Sequence, residues 1–212
     1  MKKILVLCGA VLALTLASKA GIRVGLFGGY ASHLESYQGN GIAFGLNFGL
    51  DLTSNFALEL RSARFQSGVK GSKTGLSKGT LTMMPVEICL QGRLPVGDKL
   101  VPYVALGGGY GLNTFDLDPG LLSDWGNKGM TIEESIKNGL TILFGLGVDF
   151  AVMPGPKSNQ GLFLNLEARY LMNKVSGAWS LTDTATKTVA SDTLKGLKLD
   201  AIMVGLGLKY SF

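Results

Sequence analysis

Nine charged residues stand where charge is costly. Arg23, Arg61, Arg169 and Lys209, with Asp51, Glu59, Glu87, Asp149 and Glu167, each fall inside a segment that alternates between bulky apolar residues and small or polar ones. Each lies on the small side. Residues two apart on a strand share a face, so these charges all point the same way, opposite the apolar row. Four cations against five acids is close to balance, and two chemistries fit such a set. In a narrow interior an unpaired charge is expensive, so carboxylates and guanidinium groups would interlock, Arg doing so through its bidentate fork. In a wider, wet passage the same residues would select ions.

Other chemistry has thinner support. The only histidine, His33, follows Ser32, but neighbours on a strand point to opposite faces and cannot form a Ser-His dyad with each other. Asp116, Asp118 and Asp124 suggest calcium, yet the Gly and Glu spacing of an EF-hand loop is missing. The run Gly107-Gly108-Gly109-Tyr110-Gly111 precedes no helix, so it does not read as a nucleotide cradle; glycine there would relieve crowding. Cys89 reads as a small inward filler. The expectation is therefore no enzyme, with no catalytic residue, metal or cofactor.

The elements that position these charges read as eight strands. The first covers Gly21 to Ser32, with Ile22, Val24, Leu26 and Tyr30 on one face. The second sets Ile42, Phe44, Leu46, Phe48 and Leu50 against Ala43, Gly45, Asn47, Gly49 and Asp51. The third begins at Phe56 and loses its pattern at Ser62 and Arg64, which predicts a bulge or an early exit from lipid. The fourth runs from Leu81 to Gln91, and Pro85 predicts a bulge or a rim position. The fifth is Val101 to Leu112, the sixth Leu140 to Val152, the seventh Leu162 to Leu171, and the eighth Leu197 to Phe212. Each is about 10 residues, the length of a tilted membrane strand. The bulky face is apolar and the other is mostly Gly and Ala, so the apolar face would meet lipid and the small face a narrow lumen. A soluble barrel such as a lipocalin would invert that arrangement.

Residues 1–20 read as a secretory signal peptide, with Lys2 and Lys3 before an apolar run and Ser18 and Ala20 at a cleavage site. Its removal would leave 21–212 as one barrel domain and lower the formal charge from +5 to +2 by taking away three lysines. The remaining charges form no basic stripe, which argues against nucleic acid. Cys89 is then alone and cannot form an internal disulfide. Gaps between strands alternate in length. Long ones at His33–Asn40, Ser67–Gly79, Asn113–Asn138 and Asn173–Leu194 would be extracellular loops, and the shorter ones periplasmic turns. Tyr30, Tyr110 and Tyr170 would form one interfacial girdle, and Phe48, Phe150, Tyr210 and Phe212 the other. Lys70, Lys73 and Lys78 make the second loop basic, suited to lipopolysaccharide phosphates. Residues Thr131 to Ile136 would form a helical turn over the mouth, and Trp125 and Trp179 would anchor at the interface or meet a partner.

The PYVALGGGYG segment from Pro102, the LEARY segment from Leu166 and the GLGLKYSF ending resemble the small bacterial outer-membrane β-barrels of OmpX, OmpA membrane-domain and OmpW-like type. The resemblance covers residues 21–212. It implies an all-β, eight-stranded antiparallel up-and-down transmembrane barrel in the cell outer membrane. It also implies that Tyr210 and Phe212 serve as a signal to the barrel-assembly machinery. No peptidoglycan-binding domain is expected after the barrel, a departure from full-length OmpA. The function expected is a monomer with a largely plugged lumen, acting structurally or through its loops at the surface, in contact with outer-membrane lipid and lipopolysaccharide. The alternative is a small channel or transporter for ions or hydrophobic solutes.

Overall fold

Alternation between the two faces carries almost the whole chain into one closed sheet. The computed structural model describes residues 21–71, 76–155 and 160–212; residues 1–20, expected from the sequence to be a signal peptide, and Lys73 lie outside them. The strands are β1 (Gly21–His33), β2 (Gln38–Asp51), β3 (Phe56–Lys70), β4 (Lys78–Arg93) and β5 (Leu100–Leu117), then β6 (Met130–Ile136), β7 (Gly139–Pro154), β8 (Gly161–Asp183), β9 (Val189–Lys198) and β10 (Ala201–Ser211). Among the described residues one helix, α1 (Pro119–Asn127), follows β5. Eight strands pair antiparallel in the order β1-β2-β3-β4-β5-β7-β8-β10, and β10 closes on β1 from Arg23↔Ser211 to His33↔Ala201. Closure leaves no free edge in the barrel, which is what a lipid environment demands of a sheet.

The outward face is apolar. Leu26, Leu46, Leu106, Ile142 and Leu206 are each more than half exposed on the outer wall, a distribution that only a surrounding hydrocarbon makes favourable. On β5, Val104, Leu106, Tyr110 and Leu112 face out while Val101, Tyr103 and Ala105 are buried. Tyr30 and Tyr110 are exposed toward the long-loop end, Tyr170 only partly, and Phe48, Phe150, Tyr210 and Phe212 are exposed toward the short-turn end.

Several boundaries differ from the sequence reading. Strand β3 continues unbent to Lys70 and holds one register against β2 from Gly41↔Ser67 to Asp51↔Ala57. What changes at Ser62 is chemistry: its outward side becomes Arg64, Gln66, Gly68 and Lys70, as befits wall above the apolar belt. Pro85 causes no bulge. The β3–β4 ladder keeps its register across a gap between Ser62↔Val86 and Phe65↔Met83, where proline lacks its N–H. Register shifts lie instead at Ala151/Met153 against β8, at Gln38/Gly41 against β3 and, in the β8–β9 pairing, at Val175/Gly177. The terminal segment is two elements, since Leu197 and Lys198 belong to β9 and the barrel strand starts at Ala201.

The two longest gaps are also largely ordered. β8 runs past the barrel and pairs there with β6 and β9, forming a three-stranded sheet over the long-loop end. Thr131 to Ile136 is strand, not a helical turn, because Ile132, Glu134 and Ile136 alternate with Thr131, Glu133 and Ser135 and pair with β8. The helix forms earlier. Asp118 caps it, accepting from the N–H groups of Gly120 and Leu121, and Pro119 opens its first turn.

Candidate functional site

All nine charges singled out in the sequence sit in the barrel interior, each at most 5% exposed. They lie toward the short-turn end, and eight of them form linked groups. Arg23 Nε is 2.8 Å from Asp51 Oδ1, and Arg93 Nη1 meets the same oxygen at 3.0 Å. Arg61 Nη2 bridges Glu59 at 2.8 Å and Glu167 at 2.9 Å, while Arg169 Nη2 pairs with the other Glu167 oxygen. Lys209 Nζ lies 3.0 Å from Asp149 Oδ1. Glu87 is buried with no cation within 4.0 Å among the described residues.

Neutral groups join these pairs. Tyr103 donates its hydroxyl to Glu167 at 2.7 Å and accepts from Asn165 Nδ2 at 3.0 Å; Asn165 also donates to Asp149 at 2.7 Å. Gln91 Nε2 donates to Glu59 at 3.0 Å, and Asn47 does so at 3.3 Å. Two guanidinium groups lie over the Phe27 ring, Arg169 at 4.6 Å and Arg61 at 5.1 Å from its centre. Glycine makes this density possible. A Cβ on Gly45 would come within 2.4 Å of the Phe27 ring, and one on Gly147 within 2.4 Å of the Tyr103 ring; both aromatics lie across the missing side chain of a neighbouring strand.

Sequence reasoning missed Arg93, which is 4% exposed. With it this group holds five cations, Arg23, Arg61, Arg93, Arg169 and Lys209, against the five acids, a sixth buried acid, Asp200, lying at the opposite rim. The signal was present: Cys89, Gln91 and Arg93 share a parity, but the strand reading stopped at Gln91, before Gly92. Asn165 and Tyr103 share the inward parity of their own strands.

Toward the long-loop end the interior turns apolar. Phe65, Leu81, Met83, Leu143, Leu171 and Met203 form a buried cluster with Leu76, from the β3–β4 connection, and Leu199, from the β9–β10 corner. Both connections are tied down. Glu134 accepts the Ser77 N–H at 3.2 Å, and Leu199 donates its N–H to the Asn173 carbonyl at 2.8 Å. His33 and Asp200 are buried at this rim, where Asp200 accepts from the Asn173 N–H at 3.0 Å. The interior thus has two storeys, a neutralised polar one and an apolar one above it. Among the described residues no group of three or more His, Cys, Asp or Glu side chains is placed to hold a metal ion.

A closed eight-stranded wall, apolar outside and charged inside, is the architecture of a membrane barrel, and the sequence assigns its lineage: residues 4–212 match the outer membrane protein beta-barrel domain. The chain belongs to this family of outer-membrane β-barrels. Membership implies the outer membrane as its place. Solved barrels share the fold. OprG from Pseudomonas aeruginosa superimposes with a TM-score of 0.61 at 19% identity, covering 91% of this chain and 97% of that one. Neisserial surface protein A gives 0.59 at 14%, covering 90% and 97%. A major outer membrane protein from Thermus thermophilus gives 0.53 at 11%, covering 92% and 100%. No curated protein matches the chain by sequence.

Proposed function

We propose that this outer-membrane barrel is closed to solutes and works through the sheet and loops at its long-loop end, in envelope integrity or surface interaction. The observation that carries the reading is the two-storey interior, five cations packed against five acids beneath an apolar cluster. Eight strands enclose space mainly for side chains, and an apolar constriction sheds water. An ion would have to displace both storeys. No catalytic role is part of this reading.

Partners follow from the outer wall. Arg64 and Lys70 stand exposed above the apolar belt, where the phosphates of lipopolysaccharide would lie. At the opposite end the exposed Tyr210 and Phe212 rings pack edge to face at 4.8 Å, a paired aromatic mark for the barrel-assembly machinery. The closed sheet leaves no barrel edge for a second copy, in keeping with a monomer.

Single-channel conductance of refolded protein in a planar bilayer tests the reading, using material whose gel migration changes on boiling. The expected result is silence. Steady, ion-selective openings that change in Glu59→Gln or Arg169→Gln would reject it in favour of a small channel.

A further inference from the structure

We propose that a cleft in the outer sheet binds organic cations that carry an apolar body. The cleft, about 830 Å³, lies between the end of β5, α1 and the β6–β8–β9 sheet, within the size range of small-molecule sites. Strand register sets Glu134 opposite Trp179, and Trp179 opposite Asp192. Directly opposed residues share a face with their Cβ atoms about 5 Å apart, so the indole stands between two carboxylates. Asp116 lines the cleft from β5, and Phe115 and Ile132 give it apolar walls.

Among the described residues nothing basic lines the cleft. The two tryptophans differ in this respect. Trp125 has its own cation, Lys128 Nζ at 5.2 Å from the ring, whereas among the described residues no Lys or Arg lies over Trp179. An indole face is the best aromatic surface for a cation, and flanking carboxylates deepen the attraction while repelling anions. Glu134 is also held in place, since both its oxygens lie 3.2 Å from the Ser77 N–H. Ile132, Glu134 and Trp179 are half-buried, whereas Thr131, Glu133 and Ser135 on the other side of β6 are exposed. Charge complementarity and apolar walls together point to a cation with a hydrophobic scaffold rather than a bare metal ion or a polyanion.

The proposal rests on the surface-interaction reading for its biological meaning, because a partner reaches the cleft only from outside. Pentamidine, two benzamidinium groups joined by a pentyl chain, serves as the probe, with its uncharged dinitrile counterpart as control. Both are titrated calorimetrically into the refolded full-length barrel in nonionic micelles. Saturable binding of pentamidine is expected, weakened on the order of tenfold or more in Glu134→Gln/Asp192→Asn and by added salt, with none for the dinitrile. Gln and Asn keep the carbonyl oxygens that accept from the Ser77 and Thr193 N–H groups, and boiling-dependent migration checks that the variant is folded. Absence of saturation up to about 1 mM, equal affinity in the double variant, or equal binding of the dinitrile overturns the proposal. Labelling Ser123→Cys in intact cells with an impermeant thiol reagent tests the outward orientation separately. Failure to label beside intact pentamidine binding would reject the surface reading and keep the cleft.

Discussion

Glu167 is the acid on which the polar storey converges, so Glu167→Gln is the sharpest perturbation of it. One carboxylate oxygen receives Arg61 Nη2 at 2.9 Å and the Tyr103 hydroxyl at 2.7 Å, and the other pairs with Arg169. The three partners are each at most 5% exposed, so water is poorly placed to replace the lost charge. Glutamine keeps the shape and one acceptor, but it turns an amide donor toward a guanidinium and leaves the five cations of the polar storey against four acids there. Removing one partner of a buried pair typically costs about 3–5 kcal/mol, because the remaining charge stays buried. A loss in that range is expected in equilibrium urea unfolding of protein refolded into phosphatidylcholine vesicles, followed by tryptophan emission. Adding Arg169→Gln restores neutrality and should recover at least half of the loss. A single-variant loss below about 1 kcal/mol, the size of a solvated surface pair, would refute a dry, interlocked interior. Failure of the second substitution to recover stability would refute the charge-balance argument.

Three further outcomes follow from other parts of the molecule. Leu206 and Ile142 are 58% and 55% exposed on the outer wall, and Arg at either should cost about 2–4 kcal/mol at the bilayer midplane, measured by the same unfolding; tolerance at both would reject the lipid-facing assignment. Deleting Phe212 should lower the outer-membrane yield in cells while leaving the far-ultraviolet dichroism of refolded protein unchanged, and normal yield would remove its assembly role. The Lys78 ammonium, hydrogen-bonded to Asp118, holds that carboxylate below its ordinary range, with help from the Leu121 and Gly120 N–H groups. A lowered folded-state value means that the cap's contribution is whole above the unfolded value, about pH 4, and is lost as pH falls through the folded one. Amide exchange in α1, corrected for intrinsic rates, should therefore stay flat from neutrality to about pH 4 and rise below it; a rise beginning near neutrality would contradict the cap.

The barrel was legible because its signal is local. A strand that separates lipid from a crowded interior must alternate, so parity alone places Glu59 and Arg61 inside and Leu58 and Leu60 outside. Parity says nothing about which charge meets which. The bridge from Arg61 to Glu167 joins strands that are distant around the barrel, and only the closed order brings them together. The long gaps were harder for a different reason. Polar residues on both faces of β9 give no apolar period, so its pairing with β8 leaves no mark in the composition. Leu76 and Leu199 belong to connections, where an apolar residue reads as incidental until the buried cluster is seen around it.

One strand passes through every environment described above. At 23 residues, β8 is about 75 Å long if fully extended, near twice what a tilted membrane stave requires. It carries Glu167 and Arg169 among the interior ion pairs and, ten residues after Arg169, Trp179 in the outer sheet. Between them no turn or hinge interrupts the backbone. The outer sheet is thus no pendant on a flexible tether. It stands on the barrel as a mast stands on a keel, and a tug on the Thr184–Thr188 tip is borne by the same polypeptide that anchors the charges inside.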